Sequence, residues 1–361
     1  MIQVSFESQL PRHAAKWVSE AIGRDRVPLE TESTCNACAM CVSTPKGDGR
    51  ALRVFNPATK CCAFIPSLPN FLVGMALNSG AGLASEARRA LDERLGRPIA
   101  VSPAGIINTR LGAWVYENVE FGTSQALRCP HYLEASGQCG IHRYRNAICS
   151  TYFCKPVRAS NGRIFWDAVR DFLIAVEDTL IKTCIVRLGL GDAAVHRICS
   201  VRGGRDGKFS GAEMDGEVDH EQYRQMWGVW CGREREFFSK SGTLVEQMPW
   251  SEIERLGGMH LEVRRIALLY AYQRHDEVTV PTHLRRGRYN VLQVAGECVT
   301  IGSHAPSLNT IEVTAALLES LEAFEKMPAM EALVSINRDG ERLSADKLLQ
   351  LVDMGVLTPS V

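Results

Sequence analysis

Nine of the thirteen cysteines in this 361-residue chain lie between Cys35 and Cys154. They form three groups: Cys35-x2-Cys38-x2-Cys41, the adjacent pair Cys61-Cys62, and Cys129, Cys139, Cys149 and Cys154. A thiolate is a soft ligand, and four of them suit zinc or an iron–sulfur cluster. Close pairs such as Cys35 and Cys38 let one turn of backbone supply two ligands, and distant partners close the site. All nine are therefore candidate metal ligands, and the expected cofactor is an iron–sulfur cluster, four-iron four-sulfur (4Fe-4S) first, or Zn. Nine thiols exceed the needs of one four-ligand centre. Either two centres exist, or some thiols are reactive or only packed. The odd number and the crowding speak against a disulfide framework. Cys184, Cys199, Cys231 and Cys298 stand apart and are expected to pack as small buried hydrophobes.

Cations surround the cluster: Lys60, Arg128, His131, His142, Arg143, Arg145 and Lys155. They would stabilise thiolates, or else form a solvated basic face. His142, three residues after Cys139, is expected to pack or donate a hydrogen bond rather than bind metal.

The run Cys129-Pro130-x8-Cys139-Gly-Ile141-His142-x2-Arg145-x3-Cys149-x2-Tyr152-x-Cys154 resembles the second half of the YkgJ-type cysteine-cluster family. That family is known as a zinc- or iron-chelating domain and includes flagellin lysine methylases. Its first half, closely spaced cysteines ending in a Cys-Cys pair, is similar to Cys35, Cys38, Cys41 and Cys61-Cys62. Two departures stand out. A 19-residue insertion separates Cys41 from Cys61, and Asn146 stands where the family usually has proline. The resemblance covers about a third of the chain and implies a metal site in a cysteine-cluster fold.

The elements that must position these thiols come from the rest of the chain. Lys plus Arg equals Asp plus Glu, 41 each, which gives no bulk drive toward nucleic acid or an anionic membrane. There is no apolar run long enough for an export signal or a membrane span, so the expected location is the cytoplasm, where thiols stay reduced. The pattern predicts an α+β, mostly α protein: a cysteine-cluster domain over 1–160, a helical domain over 161–278, and a small winged-helix-like module over 279–361.

Residues 8–22 are expected to form a first helix and 85–95 a short charged one. Pro66 and Pro69 impose irregular backbone after Cys61-Cys62. Phe165, Val169, Phe172, Leu173, Val176, Leu180 and Cys184 form one apolar helical stripe. A Gly-rich break over 202–216 follows, then a helix over 219–238. Ser251-x2-Glu254 reads as a capping box for a helix with Leu256, Val263, Ile266, Ala267 and Tyr270 inward. A hairpin turns at Ala295-Gly296, 310–327 reads as an amphipathic helix, and Ser344 caps the last helix, ended by Gly355. Leu188-Gly189-Leu190-Gly191 follows a helix and reads as its C-terminal cap rather than a nucleotide loop.

Residues 281–361 hold seven Lys or Arg against ten Asp or Glu, so nucleic acid is not an expected partner. The module is loosely similar to PqqD-like domains, and that likeness implies a protein or peptide partner captured along a strand edge. The leading expectation is a metal centre that supports modification of a protein or peptide substrate. The alternatives are a structural zinc or metal-carrier protein without enzymatic activity, and a thiol redox sensor built on surplus cysteines such as Cys61-Cys62.

Overall fold

The computed structural model describes residues 3–30, 41, 55–80, 85–97, 99–119, 121–154, 156–200, 216–276, 279–303, 309–338 and 341–360. Helix accounts for 58% of it and strand for 13%, an α+β, mostly α architecture. The expected break over 202–216 lies, apart from Gly216, outside the described residues.

Strand β1 (Gln3–Ser5) leads through a 3-10 turn into α1 (Arg12–Ile22), and β2 (Arg26–Pro28) returns antiparallel to β1. The helix starts later than its apolar pattern because Phe6–Ser8 is a 3-10 turn and Pro11 occupies the N-cap. Proline fits there because the first helical turn has no use for its missing N–H. Two-residue β3 (Leu68–Pro69) is followed directly by α2 (Asn70–Asn78), buried along Asn70 to Ala76. The prolines do keep Phe64–Ser67 irregular; the helix begins at the residue after Pro69. Next come α3 (Ser85–Gly96), β4 (Val101–Ser102), β5 (Gly105–Ile106) and α4 (Arg110–Asn118). β5 lies between β3 and β4. The hairpin β6 (Tyr132–Leu133) and β7 (Gln138–Cys139) and the single turn α5 (Ala147–Ser150) complete the cysteine region.

Helix α6 (Ala159–Arg187) is the axis of the molecule. Its expected stripe is buried throughout, from Phe165 to Cys184, and Trp166, Ala175, Ile181 and Ile185 are buried as well. It contacts α1, α2 and α5, and later in the chain α7 (Asp192–Ser200). Gly189 and Gly191 take positive φ in the break between α6 and α7, as a helix end requires.

The helix expected over 219–238 is interrupted. Asp219 caps α8 (His220–Trp227) through the N–H groups of Glu221 and Gln222. Gly228 and Gly232 then adopt positive φ (50° and 80°), and α9 (Glu234–Glu246) starts afresh. Where α9 crosses α2, Gly74 lies against the Phe238 carbonyl so closely that a Cβ would sit 1.8 Å from its oxygen. Only glycine permits that approach.

α10 (Trp250–Asp276) runs along α6. It begins before Ser251, so that serine is not its cap, and it kinks at Gly258 (φ 51°). Its inward residues differ from expectation. Ile253, Leu261, Leu268, Ala271, Tyr272 and His275 are buried, whereas Val263, Ile266, Ala267 and Tyr270 are exposed and Leu256 is half-buried.

One buried cluster runs from Phe6 to Tyr272 and joins the cysteine region to the helical middle. A second, from Leu284 to Leu357 with Ala159, is the core of the C-terminal module. There β8 (Leu284–Arg286) precedes the antiparallel β9 (Tyr289–Ala295), β10 (Cys298–Ser303) and β11 (Thr310–Thr314). Gly296 turns the β9–β10 hairpin at φ 63°. Thr310–Thr314 is thus strand, not the start of a helix: Ile311 and Val313 alternate inward against β10, the period of a strand. Two short helices, α11 (Ala315–Ser320) and α12 (Ala323–Lys326), then lead to α13 (Ala329–Arg338) and α14 (Ala345–Asp353). Ser344 caps α14 by accepting from Lys347 N, Leu343 and Leu348 are both buried, and Gly355 ends it at φ 75°. β12 (Leu357–Pro359) pairs with β8.

The module is fastened to α6 by a buried ion pair. Arg158 donates from Nη2 and Nε to Asp353 (2.8 and 2.9 Å) and from Nη1 to the His275 carbonyl. Asn161 adds a bond to the same carboxylate, 2.8 Å. Both charged side chains are 4% exposed. Asp353→Ala strands the Arg158 charge and is expected to cost about 3–5 kcal/mol. The readout is a lower urea midpoint, most of which the double variant Arg158→Met/Asp353→Leu should restore.

Candidate metal centre

Cys61 and Cys62 lie on a 3-10 turn, Lys60–Ala63, that Asn56 organises. The Asn56 carbonyl accepts from Lys60 N, and Cys62 N donates to the Thr59 carbonyl. Lys60 takes φ 54°, a conformation that costs any residue with a Cβ, and its ammonium lies 5.8 Å from the Tyr132 ring centroid. Cys129 N donates to the Cys62 carbonyl at 2.7 Å, which clamps the second cysteine group to the third. His131 N donates to Cys129 Sγ at 3.4 Å. In the β6–β7 hairpin Cys139 stands opposite Tyr132, and Gly140 N donates to the His131 carbonyl.

Asn146 begins α5. Its Oδ1 accepts from Cys149 N at 3.0 Å, and its Nδ2 donates to the Ser67 carbonyl at 3.0 Å. Asparagine therefore caps the turn that carries Cys149 and ties it to the segment after Cys62. Glu177 on α6 accepts from Ala147 N at 2.6 Å, a carboxylate at the positive end of that turn. Arg145 spans the same turn, donating to the carbonyls of His142 (3.1 Å) and Cys149 (3.2 Å).

The result brings thiols from distant segments into one electrostatic neighbourhood. Burial first, and then Cys149, Cys139 and Cys61, raise the Cys129 thiol to about 12, against the hydrogen bond from His131 N, which lowers it. Burial likewise raises Cys149 to about 12, with Cys139, Cys61 and Glu177 adding to the shift and Arg145 opposing it. Cys61 is raised first by its hydrogen bond with Cys62, then by burial, and Arg145 again opposes. Among the described residues, Arg145 is the cation whose charge acts on Cys61 and Cys149. The imidazoles nearby are neutral: burial, then Arg94, lowers His131 to about 4, and burial, then Arg145, does the same to His13.

Of the nine expected ligands, Cys61, Cys62, Cys129, Cys139 and Cys149 gather here; Cys129 is buried and the other four are half-buried. Cys41 and Cys154 are half-buried too, and Cys35 and Cys38 lie outside the described residues, as does Lys155. Among the described residues no three His, Cys, Asp or Glu side chains stand at metal-binding spacing. The donor set fits a thiolate-bound metal in kind: several soft ligands, one buried and the others half-buried, within electrostatic reach of one another and with a cation beside them. Neither Cys231 nor Cys298 is a buried hydrophobe. Both are exposed, on the turn after α8 and on β10, while Cys184 is buried and Cys199 half-buried.

Sequence reasoning missed Glu177, the capping role of Asn146, and Glu30. Glu30 is buried and accepts from Val157 N and Trp166 Nε1, each at 2.7 Å, so it holds the backbone just after Cys154. The Asn-x2-Cys spacing was a legible cap signal. Nothing local marks Glu30 or Glu177.

Cys129, Cys149 and Cys184 all have thiols raised in the fold to about 12. Each keeps its proton to higher pH when folded than when unfolded, where thiols titrate at about 8.5. Their contribution to stability is intact below the unfolded value and drains away as pH rises toward the folded one. The melting temperature of metal-free protein is expected to fall steadily from about pH 8.5 upward; a flat thermal profile across that alkaline range would contradict the buried-thiol picture.

No family model, no curated protein and no solved structure matches this chain.

Proposed function

We propose that this chain holds a thiolate-bound metal, zinc or an iron–sulfur cluster, with Cys61, Cys129, Cys139 and Cys149 as the first ligands to test and Cys62 beside them. The observation that carries the reading is the convergence itself. Cys61 acts on Cys149, 88 positions away in sequence, and Cys61, Cys139 and Cys149 all act on Cys129. To act as ligands these thiols must ionise side by side, and the resulting negative charge needs a cation to offset it. Arg145 supplies one positive charge, and a metal would supply the rest. Bound there, it would fix the segments carrying these cysteines and offer Lewis-acid or electron-transfer chemistry.

The wider proposal is that the centre serves modification of a protein or peptide. Its support is β9, an outer strand of its sheet among the described residues, with Val291 47% and Val294 65% exposed. Such an edge accepts an extended peptide. The module that carries it is tied to the segment after Cys154, since Asn309 donates to the Pro156 carbonyl at 2.7 Å.

Anaerobic purification with metal analysis and a visible spectrum tests the centre. Brown protein with iron and sulfide selects a cluster, colourless protein with stoichiometric zinc selects zinc, and folded protein without metal removes the reading. Cys129→Ser and Cys149→Ser are expected to leave the metal well below stoichiometric, whereas Cys298→Ser, exposed on β10, should retain it.

A further inference from the structure

Helix α10 carries a second apolar stripe on the side away from the core. Met259, Val263, Ile266 and Tyr270 are 78%, 54%, 56% and 68% exposed. At 3.6 residues per turn they share one face, opposite Leu261, Leu268 and Tyr272, which are buried. Single exposed hydrophobes are ordinary; four in register on one helix form a patch of the kind that marks an association site.

The spacing 4-3-4 reads the same in both directions. It is the alternation of a two-heptad coiled-coil seam, with Val263 and Tyr270 at one core position and Met259 and Ile266 at the other. Laid antiparallel on a copy of itself, the stripe sets Val263 against Ile266 and Met259 against Tyr270, each layer repeated by the two-fold axis. The flanks tolerate this pairing. Glu262 would face Leu269 of the copy rather than its own counterpart, and it is already neutralised by Arg265 at 2.7 Å on the same helix. His260 would face Ala267, whose small side chain lets the helices approach. No like charges are brought together along these two heptads. A standard interface needs about 800 Å² per partner, more than four side chains supply, and these flanks are what would complete it.

We infer that this face of α10 is a homodimer interface, the partner being a second copy of the chain packed antiparallel across a two-fold axis. The inference is independent of the metal. Sedimentation of the full-length protein across the micromolar range tests it. Wild type is expected at twice the chain mass. Ile266→Lys and Val263→Glu, made at side chains more than half exposed in the monomer, are each expected at the single-chain mass with unchanged far-UV dichroism. Val334→Glu, an exposed apolar position on the C-terminal module, should leave the dimer intact. An equimolar mixture of Ile266→Lys with Val263→Glu should recover dimer, because the antiparallel register sets the two new charges face to face. A wild type that stays monomeric, or an Ile266→Lys variant as dimeric as wild type, overturns the interface. A mixture that stays monomeric overturns the antiparallel register.

Discussion

Segments with almost no regular structure cannot hold a set of thiols unless their backbone polar groups are tied to something rigid. Buried N–H and C=O groups need partners wherever they lie. In this protein the rigid body is α6. Glu177 on α6 holds Ala147 N at the start of the turn carrying Cys149, and the Ile181 carbonyl receives Asn70 Nδ2 at 3.2 Å. Trp166 donates to the Glu30 carboxylate, whose other oxygen holds Val157 N. Arg158, at the N-cap of α6, fastens the C-terminal module. The helix can serve this way because it is buried on more than one side, so each attachment is made away from competing water and is correspondingly costly to leave unmade.

The same burial sets the electrostatic problem of the cysteine region. Removing thiols from water favours the protonated form, and crowding them raises each pKa again through its neighbours. Arg145 works the other way on Cys61 and Cys149, yet the net shift remains upward. One guanidinium does not convert this neighbourhood into a set of thiolates. A divalent ion or a cluster would, because ligation and deprotonation are the same event. In this light Asn146 and Glu177 are as consequential as the cysteines: they fix where the Cys149 turn sits before any ligand arrives.

How much of this could be read from the sequence depended on the range of the cause. The α6 stripe was legible because every third or fourth residue was apolar, and the β9–β10 turn because Gly296 stood between two β-rich runs. The Ser344 cap was legible from spacing. Errors arose where local pattern was ambiguous. Thr310–Thr314 continues smoothly into an amphipathic helix in sequence, and only pairing with β10 makes it a strand. The run 219–238 has helical composition, yet Gly228 and Gly232 break it with positive φ. At the candidate site the cysteines themselves announced the chemistry, while Glu30 and Glu177 did not. A carboxylate that binds a backbone N–H 127 or 30 positions away leaves no mark in its own neighbourhood.

Helix α10 shows the deeper form of that ambiguity. It has two apolar stripes on opposite faces, and periodicity alone cannot rank them. Packing ranks them by what α6 and α1 offer. The face with Leu261, Leu268 and Tyr272 meets a wall of large side chains; Tyr272 also reaches the Arg26 carbonyl with its hydroxyl at 2.6 Å, and Phe165 lies 6.1 Å from its ring. That hydrogen bond and that aromatic contact are available to one face only, so the other is turned to solvent despite comparable hydrophobicity. A sequence free to vary at exposed positions has no folding reason to keep Met259, Val263, Ile266 and Tyr270 in heptad register. Burial within the chain ranks the two faces but leaves that register unused, and a contact between copies of the chain would use it.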